Sequence, residues 1–249
     1  MTTSGKKIKA YIHEVFYSIQ GEGLWAGRLQ HFVRFKGCNV GCRYCDTPET
    51  CFVSEDDFRK GHRLLGEPVT VDGILETLEL QAAQQPGIHS FSLTGGEPLI
   101  QIDLLEELIP RLKERWPEQP VMLETAGLHH EAVGRVIESL DLISMDFKLP
   151  STSGLHGTRS QHERFMAVMG DTSYYVKTIV DPRTPLREVH EAARAVAEHG
   201  KSTPFFLQPV TREGHVWGGR YLIDLFGVAR EILDDVRVLP QIHKILSLS

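Results

Sequence analysis

The chain has 249 residues, enough for one large domain or two small ones, and is 41% hydrophobic and 24% charged, an ordinary globular composition. Its formal net charge is −6 with no dense basic block, which gives no sign of a nucleic-acid partner, and no apolar run reaches the roughly 18 residues of a membrane span. Four cysteines, three of them clustered, are not a disulfide framework; with a polar, basic start at Met1 to Lys9 that lacks the apolar segment of a secretory signal, they point to a reducing cytoplasm.

In chain order, Lys9 to Phe16 alternates as a first strand, and Ser18-Ile19-Gln20-Gly21-Glu22-Gly23 is a glycine-rich turn. The apolar run His31 to Phe35 reads as the next strand and delivers Cys38-Asn39-Val40-Gly41-Cys42-Arg43-Tyr44-Cys45. Glu49 to Pro68 is a polar, charged excursion. Val71 to Ala83 has helical spacing, and His89 to Leu93 is a strand. Ile102 to Arg115 is a helix with Leu104, Leu105, Leu108 and Leu112 on its apolar face and a kink expected at Pro110. Then come a strand at Val121 to Glu124, a helix at His130 to Leu140, a strand at Leu142 to Met145 and a loop from Lys148 to Gln161. A strand at Tyr174 to Val180, a helix at Pro185 to His199, a strand at Phe205 to Gln208, a helix at Tyr221 to Leu233 and a strand from Val236 to Leu239 complete the chain, apart from a short tail.

Alternating strands and helices predict an α/β fold with a parallel sheet, either a partial or modified TIM-like (β/α) barrel or a doubly wound sheet. In both, ligands bind at the carboxyl ends of the strands. The distinctive motifs fall there: the cysteine loop, Thr94-Gly95-Gly96-Glu97-Pro98, Thr125-Ala126-Gly127, Asp146-Phe147-Lys148 and Pro209-Val210-Thr211. Cys51 has no evident role, and His129-His130 reads as surface, since adjacent residues at a helix start do not face one site.

The cysteines spell C-x3-C-x2-C, and Gly37 and Gly41 let such a loop fold around a metal centre. Thiolates suit zinc or an iron–sulfur cluster. A structural zinc site needs a fourth protein ligand, for which Cys51 and His62 are available. Three cysteines on a four-iron cluster leave one iron open to a substrate or cosubstrate. Followed by Asp46 and Thr47, this spacing resembles the radical S-adenosylmethionine (SAM) superfamily. Thr94-Gly95-Gly96-Glu97-Pro98 resembles that superfamily's second motif, although alone it also suits a plain strand–helix turn with Pro98 opening the helix.

Further matches narrow the resemblance. They are Phe16-Tyr17-Ser18-Ile19-Gln20-Gly21-Glu22-Gly23, Phe32-Val33-Arg34, Leu207-Gln208-Pro209-Val210 and Gln241-Ile242-His243-Lys244. Together they make the chain similar, over nearly its whole length, to the 7-carboxy-7-deazaguanine synthase family. The resemblance implies a radical SAM lyase that converts 6-carboxy-5,6,7,8-tetrahydropterin to 7-carboxy-7-deazaguanine with loss of ammonia, in queuosine and deazapurine biosynthesis. It implies a [4Fe-4S] cluster on Cys38, Cys42 and Cys45, with SAM on the open iron, and Mg²⁺ at Thr47. It places Ile19, Gln20, Gly21, Glu22, Arg34, Thr94 and His243 at the substrate, and Gly96, Glu97, Glu124, Ser144, Met145, Asp146 and Gln208 at SAM. The residue types suit these roles. Arg34 offers a two-pronged pair to a carboxylate, Gln20 and Glu22 offer donors and acceptors to pterin nitrogens, and Thr47 offers a hard oxygen. Outside the resemblance, Arg34 would read as a solvated strand residue, His243 as a surface histidine on a terminal strand, and Glu124, Thr125 and Ser144 as polar caps.

The resemblance also implies an electron donor such as a flavodoxin or ferredoxin, a homodimer, and neither nucleic acid nor membrane as partner. Residues 1–249 are read as a single domain, with 1–30 a substrate-binding extension and 49–69 a variable insertion. The alternatives are a glycyl-radical activase of the same superfamily and, outside enzymes, a zinc-stabilised binding module.

Overall fold

The computed structural model describes residues 8–47, 68–212 and 214–248. The excursion expected from Glu49 to Pro68, with Cys51 and His62, lies almost wholly outside the described residues. The strands are β1 (Lys9–Ala10), β2 (Ile12–Ile19), β3 (Leu29–Phe35), β4 (Val69–Thr70), β5 (Ser90–Gly95), β6 (Val121–Thr125), β7 (Leu142–Asp146), β8 (Tyr174–Val180), β9 (Phe205–Pro209), β10 (Thr211–Arg212), β11 (His215–Val216) and β12 (Val236–Val238). The helices are α1 (Val71–Gln84), α2 (Ile102–Arg115), α3 (His130–Gly134), α4 (Pro150–Ser153), α5 (Arg159–Ala167), α6 (Leu186–Ala197), α7 (Tyr221–Arg230) and α8 (Ile242–Ile245). Among the described residues no helix is long and apolar enough to cross a membrane.

Eight strands form one sheet in the order β12-β9-β8-β7-β6-β5-β3-β2. β2 runs antiparallel to β3, and every other neighbouring pair is parallel. The parallel strands follow chain order without reversal. A doubly wound sheet reverses direction at a switch point, so this is the partial barrel instead. β1 pairs with β4, and β10 with β11, as separate ribbons.

Alternation along each strand divides the side chains into two layers. Outward residues such as Val33, Phe35, Leu93, Leu123, Ile143, Met145, Val176 and Leu207 pack with the helices in one apolar core. Its helical half follows from sequence period: α1 buries Val71, Ile74, Leu75 and Leu78, and α2 buries Leu104, Leu105, Leu108, Ile109 and Leu112. Thr70 caps α1 by accepting from the Gly73 amide at 3.3 Å. α2 continues through Pro110, which lies on its solvent side.

The inward face is layered along the strands. Met122, Leu142, Tyr175 and Phe206 close the amino-terminal end with Leu24 and Trp25. Above them lies a buried polar layer. Gln20 Nε2 donates to Gln30 Oε1 and to Glu124 Oε1, each at 3.0 Å, Gln30 Nε2 to Ser90 Oγ at 2.6 Å, and Ser92 Oγ to Glu124 Oε1 at 3.0 Å. These bonds satisfy groups that would be costly to bury alone.

Four expectations need correction. The stretch Lys148 to Gln161 is not a plain loop: it contains α4 and the start of α5, and α5 escapes a search for apolar period because only His162, Phe165 and Met166 of its nine residues are buried. The helix expected over His130 to Leu140 is α3 followed by a separate 3-10 turn at Ile137–Ser139. β2 extends to Ile19, so Ser18 and Ile19 are strand and not turn. His243 lies on α8, not on a terminal strand.

Candidate active site

The carboxyl ends of the parallel strands open into one cavity, lined by residues from Phe16 near one end of the chain to Lys244 near the other. The cysteine loop leaves β3 at Phe35 and is tied to its surroundings by backbone bonds: Glu97 N donates to Gly37 O at 2.8 Å, Gly96 N to Phe35 O at 2.9 Å and Arg43 N to Ser153 O at 3.0 Å. Gly41 sits at φ +67°, in the left-handed region that glycine enters without strain. Cys38, Cys42 and Cys45 are half-buried, free of disulfides, and all on the cavity wall. Burial pushes the Cys42 thiol up, while the Lys148 ammonium opposes it; a bound metal deprotonates such a thiol.

These residues fit an iron–sulfur cluster, since soft thiolates are its donor set. A four-iron cluster asks only that each thiolate reach its own iron, and the three thiols share one wall with an open cavity before them. Of the zinc reading's fourth ligands, Cys51 and His62 lie outside the described residues.

Glu22 and Lys177 form a buried ion pair on the cavity wall. Lys177 Nζ donates to Glu22 Oε2, while Glu22 Oε1 accepts from Gln208 Nε2 at 3.0 Å and Gln241 Nε2 at 2.8 Å. Burial alone would raise the Glu22 pKa; the Lys177 charge and hydrogen bond outweigh it and hold the carboxyl below its usual range. Lys177 is raised in return: burial opposes its charge, and Glu22 and Glu124 restore it. At the rim, Asp46 accepts from Gln241 Nε2 at 3.0 Å and Lys244 Nζ at 2.6 Å. Desolvation works against its charge, but Lys244 and Gln241 bring its pKa to about 2, so a full negative charge stands beside Thr47.

A second buried ion pair lies beside the cysteines. Lys148 Nζ sits 2.8 Å from Asp146 Oδ2 and donates to the Tyr44 hydroxyl at 3.0 Å. Burial disfavours the Lys148 charge, but Asp146, Tyr44 and Cys42 keep its pKa well above the ordinary value. The loop carrying Lys148 is held from behind by His162, whose Nε2 accepts from Lys148 N at 3.1 Å while its Nδ1 lies 3.1 Å from Gly127 O.

Of the residues singled out in the sequence, the cavity gathers Cys38, Cys42, Cys45, Thr47, Ile19, Gln20, Gly21, Glu22, Arg34, Thr94, His243, Gly96, Glu124, Asp146 and Gln208. Arg34 reaches it already paired with Glu14, its neighbour across β2–β3, and stacked over Phe16 at 4.8 Å. Three side chains stand apart. Glu97 turns inward, with Oε1 accepting from Leu99 N at 3.1 Å and Thr125 Oγ1 at 2.8 Å, and Oε2 from Ala126 N at 2.8 Å, so it ties two loops together. Ser144 lies one pleat below Asp146, fully buried beneath the cavity, and Met145 points outward into the apolar core. The sequence reading missed Lys148, Lys177, Asp46 and Tyr44 as site residues. Lys177 had a signal, a lone lysine within the strand Tyr-Tyr-Val-Lys-Thr-Ile-Val.

The chain as a whole is similar to known proteins. Residues 32–207 match the radical SAM superfamily. The 7-carboxy-7-deazaguanine synthase of Geobacter sulfurreducens is 38% identical over 245 residues, covering 95% of this chain and 97% of that protein. The 7-carboxy-7-deazaguanine synthase of Methanopyrus kandleri is 34% identical over 249 residues, covering 94% and 92%. The crystal structure of QueE from Escherichia coli superposes with a TM-score of 0.54 at 20% identity, covering 94% of each chain, and shares the fold.

Proposed function

Because the chain belongs to the 7-carboxy-7-deazaguanine synthase family of the radical SAM superfamily, we infer that it is a lyase converting 6-carboxy-5,6,7,8-tetrahydropterin to 7-carboxy-7-deazaguanine with loss of ammonia, using a [4Fe-4S] cluster and SAM. One observation carries the reading: a single cavity is lined by the three cysteines together with Gln20, Glu22, Arg34 and His243. Nothing favours the activase or the zinc module, since the relatives match over nearly their full length under the synthase name.

When bound, cluster and SAM supply a one-electron cleavage whose radical takes a hydrogen from the substrate. The chain's residues do the rest. Cys38, Cys42 and Cys45 would ligate the cluster. Gly96 presents backbone at the SAM side, while Glu124, Asp146 and Gln208 add polar contacts there; Glu97 acts through the loops it holds. Arg34 binds the substrate carboxylate, pre-set by Glu14. Gln20 and Glu22 meet the pterin edge, where the Lys177 pairing keeps Glu22 an acceptor. Thr47, beside the anionic Asp46, is the oxygen offered to Mg²⁺. The segment up to residue 30 serves as the substrate-binding extension of a single domain. The cluster's electron comes from a flavodoxin or ferredoxin, and two copies form a homodimer.

Anaerobic incubation with SAM, reductant and the carboxytetrahydropterin should release a product of the mass of 7-carboxy-7-deazaguanine, together with 5′-deoxyadenosine. SAM cleavage that leaves the pterin unchanged under every reductant would remove the substrate assignment.

A further inference from the structure

Lys177 stands on β8 two residues after Tyr175, so its side chain leaves the same inward face one layer nearer the carboxyl end, on the cavity wall. It is 9% exposed. An ammonium carries three N–H donors. One goes to Glu22 Oε2, and among the described residues the other two meet no hydrogen-bond acceptor. Glu124 and Asp146 help to hold the charge, yet both are engaged elsewhere: Glu124 Oε1 accepts from Gln20 and Ser92, and Asp146 Oδ2 stands against Lys148. A carboxylate has about four acceptor positions. On Glu22, Gln208 and Gln241 take those of Oε1 and Lys177 takes one on Oε2, so one remains on Oε2 beside the ammonium. The cavity wall thus presents, side by side, an unused acceptor and unused donors.

We propose that Lys177 is itself a substrate-binding residue and, with Glu22, reads the cyclic amide edge of the pterin: the ammonium donates to the ring carbonyl at C4, and the carboxylate accepts from the neighbouring N3–H. The proposal rests on the reading above, in which a carboxytetrahydropterin is the substrate, and deepens it by naming what the site selects. Two arguments carry it. Burying a donor without an acceptor costs free energy, more so for a charged group, so an ammonium with idle protons on a cavity wall is completed by a ligand oxygen. The second argument is complementarity. Arg34 engages the carboxylate on the pyrazine ring, which leaves the polar edge of the pyrimidine ring to the buried groups. An amide edge offers an acceptor next to a donor, the counterpart of what Lys177 and Glu22 present. A ring with an amino group in place of the carbonyl reverses both positions: the amino group meets the ammonium as a donor, and the bare N3 meets the carboxylate as an acceptor. That mismatch leaves the buried polar groups of the site unpaired, the condition under which a binding site discriminates strongly.

The test compares two probes that bind without reacting. 6-Carboxypterin, the fully oxidised ring, has no hydrogen at C6 for a radical to take, and 2,4-diaminopteridine-6-carboxylate differs from it only at the amide edge. Binding of each to the cluster-loaded, SAM-bound enzyme is titrated by pteridine fluorescence. The wild type should prefer 6-carboxypterin by about 100-fold or more. In Lys177→Met that preference should shrink by about tenfold or more, the usual contribution of a hydrogen bond to a charged group, with iron content and 5′-deoxyadenosine formation retained. Glu22→Gln/Lys177→Met leaves neither charge buried without its partner, and should show the same loss of preference even where the single variant fails to fold. Equal weakening of both probes, with the preference intact, would reduce Lys177 to a support for Glu22 and overturn the proposal, as would unchanged binding. A wild-type enzyme that binds neither probe would instead overturn the pterin reading itself, and the role of Lys177 with it.

Discussion

At the scale of single residues, two side chains carry separable roles. Arg34 is held by Glu14 and Phe16 before any ligand arrives, so its guanidinium is positioned without further loss of freedom. Arg34→Ala should cost about 2–5 kcal/mol if the carboxylate pair is desolvated, roughly 30- to several-thousand-fold in kcat/KM, with 5′-deoxyadenosine still formed. Measuring both products in one reaction checks this; an unchanged deazaguanine yield would exclude Arg34 as the clamp. His162 acts on stability. Burial, helped by the nearby Lys148 charge, lowers its pKa to about 4, and its neutral ring accepts from the Lys148 amide. The unfolded chain protonates this histidine near 6.5, so between the two values the unfolded state binds more protons. The stabilisation is therefore complete above about pH 6.5 and lost as the pH falls through about 4, on the order of 3 kcal/mol in all. Urea midpoints across that window should slope less steeply in His162→Gln than in the wild type. Equal slopes would show that other groups govern the acid side.

At the scale of elements, the meeting of β3 and β5 decides where the cysteines stand. Gly95 closes β5 at φ +121°, opposite Phe35, and a Cβ there would lie 2.4 Å from both Phe35 N and Phe35 O. Gly95→Ala must part the strand ends or strain the backbone, at about 1–3 kcal/mol for the conformation alone. Because β3 leads directly into the cysteine loop, iron content should fall together with the denaturation midpoint; a variant with full iron and wild-type stability would refute this. The same elements explain what sequence could disclose. α2 is legible to its last residue because five apolar side chains repeat at helical period, and the cysteine and Gly-Gly-Glu loops are legible because each is contiguous. α5 was hidden because its buried face pairs one histidine with two apolar residues. The pairing of Lys177 was hidden because its partner, Glu22, is 155 residues away, a distance only folding removes.

At the scale of the molecule, the barrel does not close through its sheet, since β2 and β12 remain the two edges. The segments that follow these two edge strands meet beside the cavity. Ile242 N donates to Gly21 O at 3.0 Å, Gln241 spans Glu22 and Asp46, and Lys244 holds Asp46 from outside. Gly21 is required there, because a Cβ would fall 1.9 Å from His243 Nδ1. Removing the polar ties with Gln241→Ala/Lys244→Ala should raise the KM for the pterin by about tenfold, the worth of one or two charge-assisted hydrogen bonds. Iron content should be retained, because the cysteine loop is anchored elsewhere. A variant with unchanged KM would show that the seam is not part of the substrate wall.

That seam also orders events in time. Glu22 and Gln241 stand 219 positions apart, and Asp46 and Lys244 stand 198 apart, so joining them closes among the longest loops the chain offers. Contacts of such separation are slow to form. The β3–β5 pairing that frames the cysteines asks only for neighbours far nearer in the chain. A nascent molecule thus presents its three thiols in an open trough before the far end arrives to wall it. Access to the thiols is widest in that interval, before Gln241 and Lys244 reach Asp46.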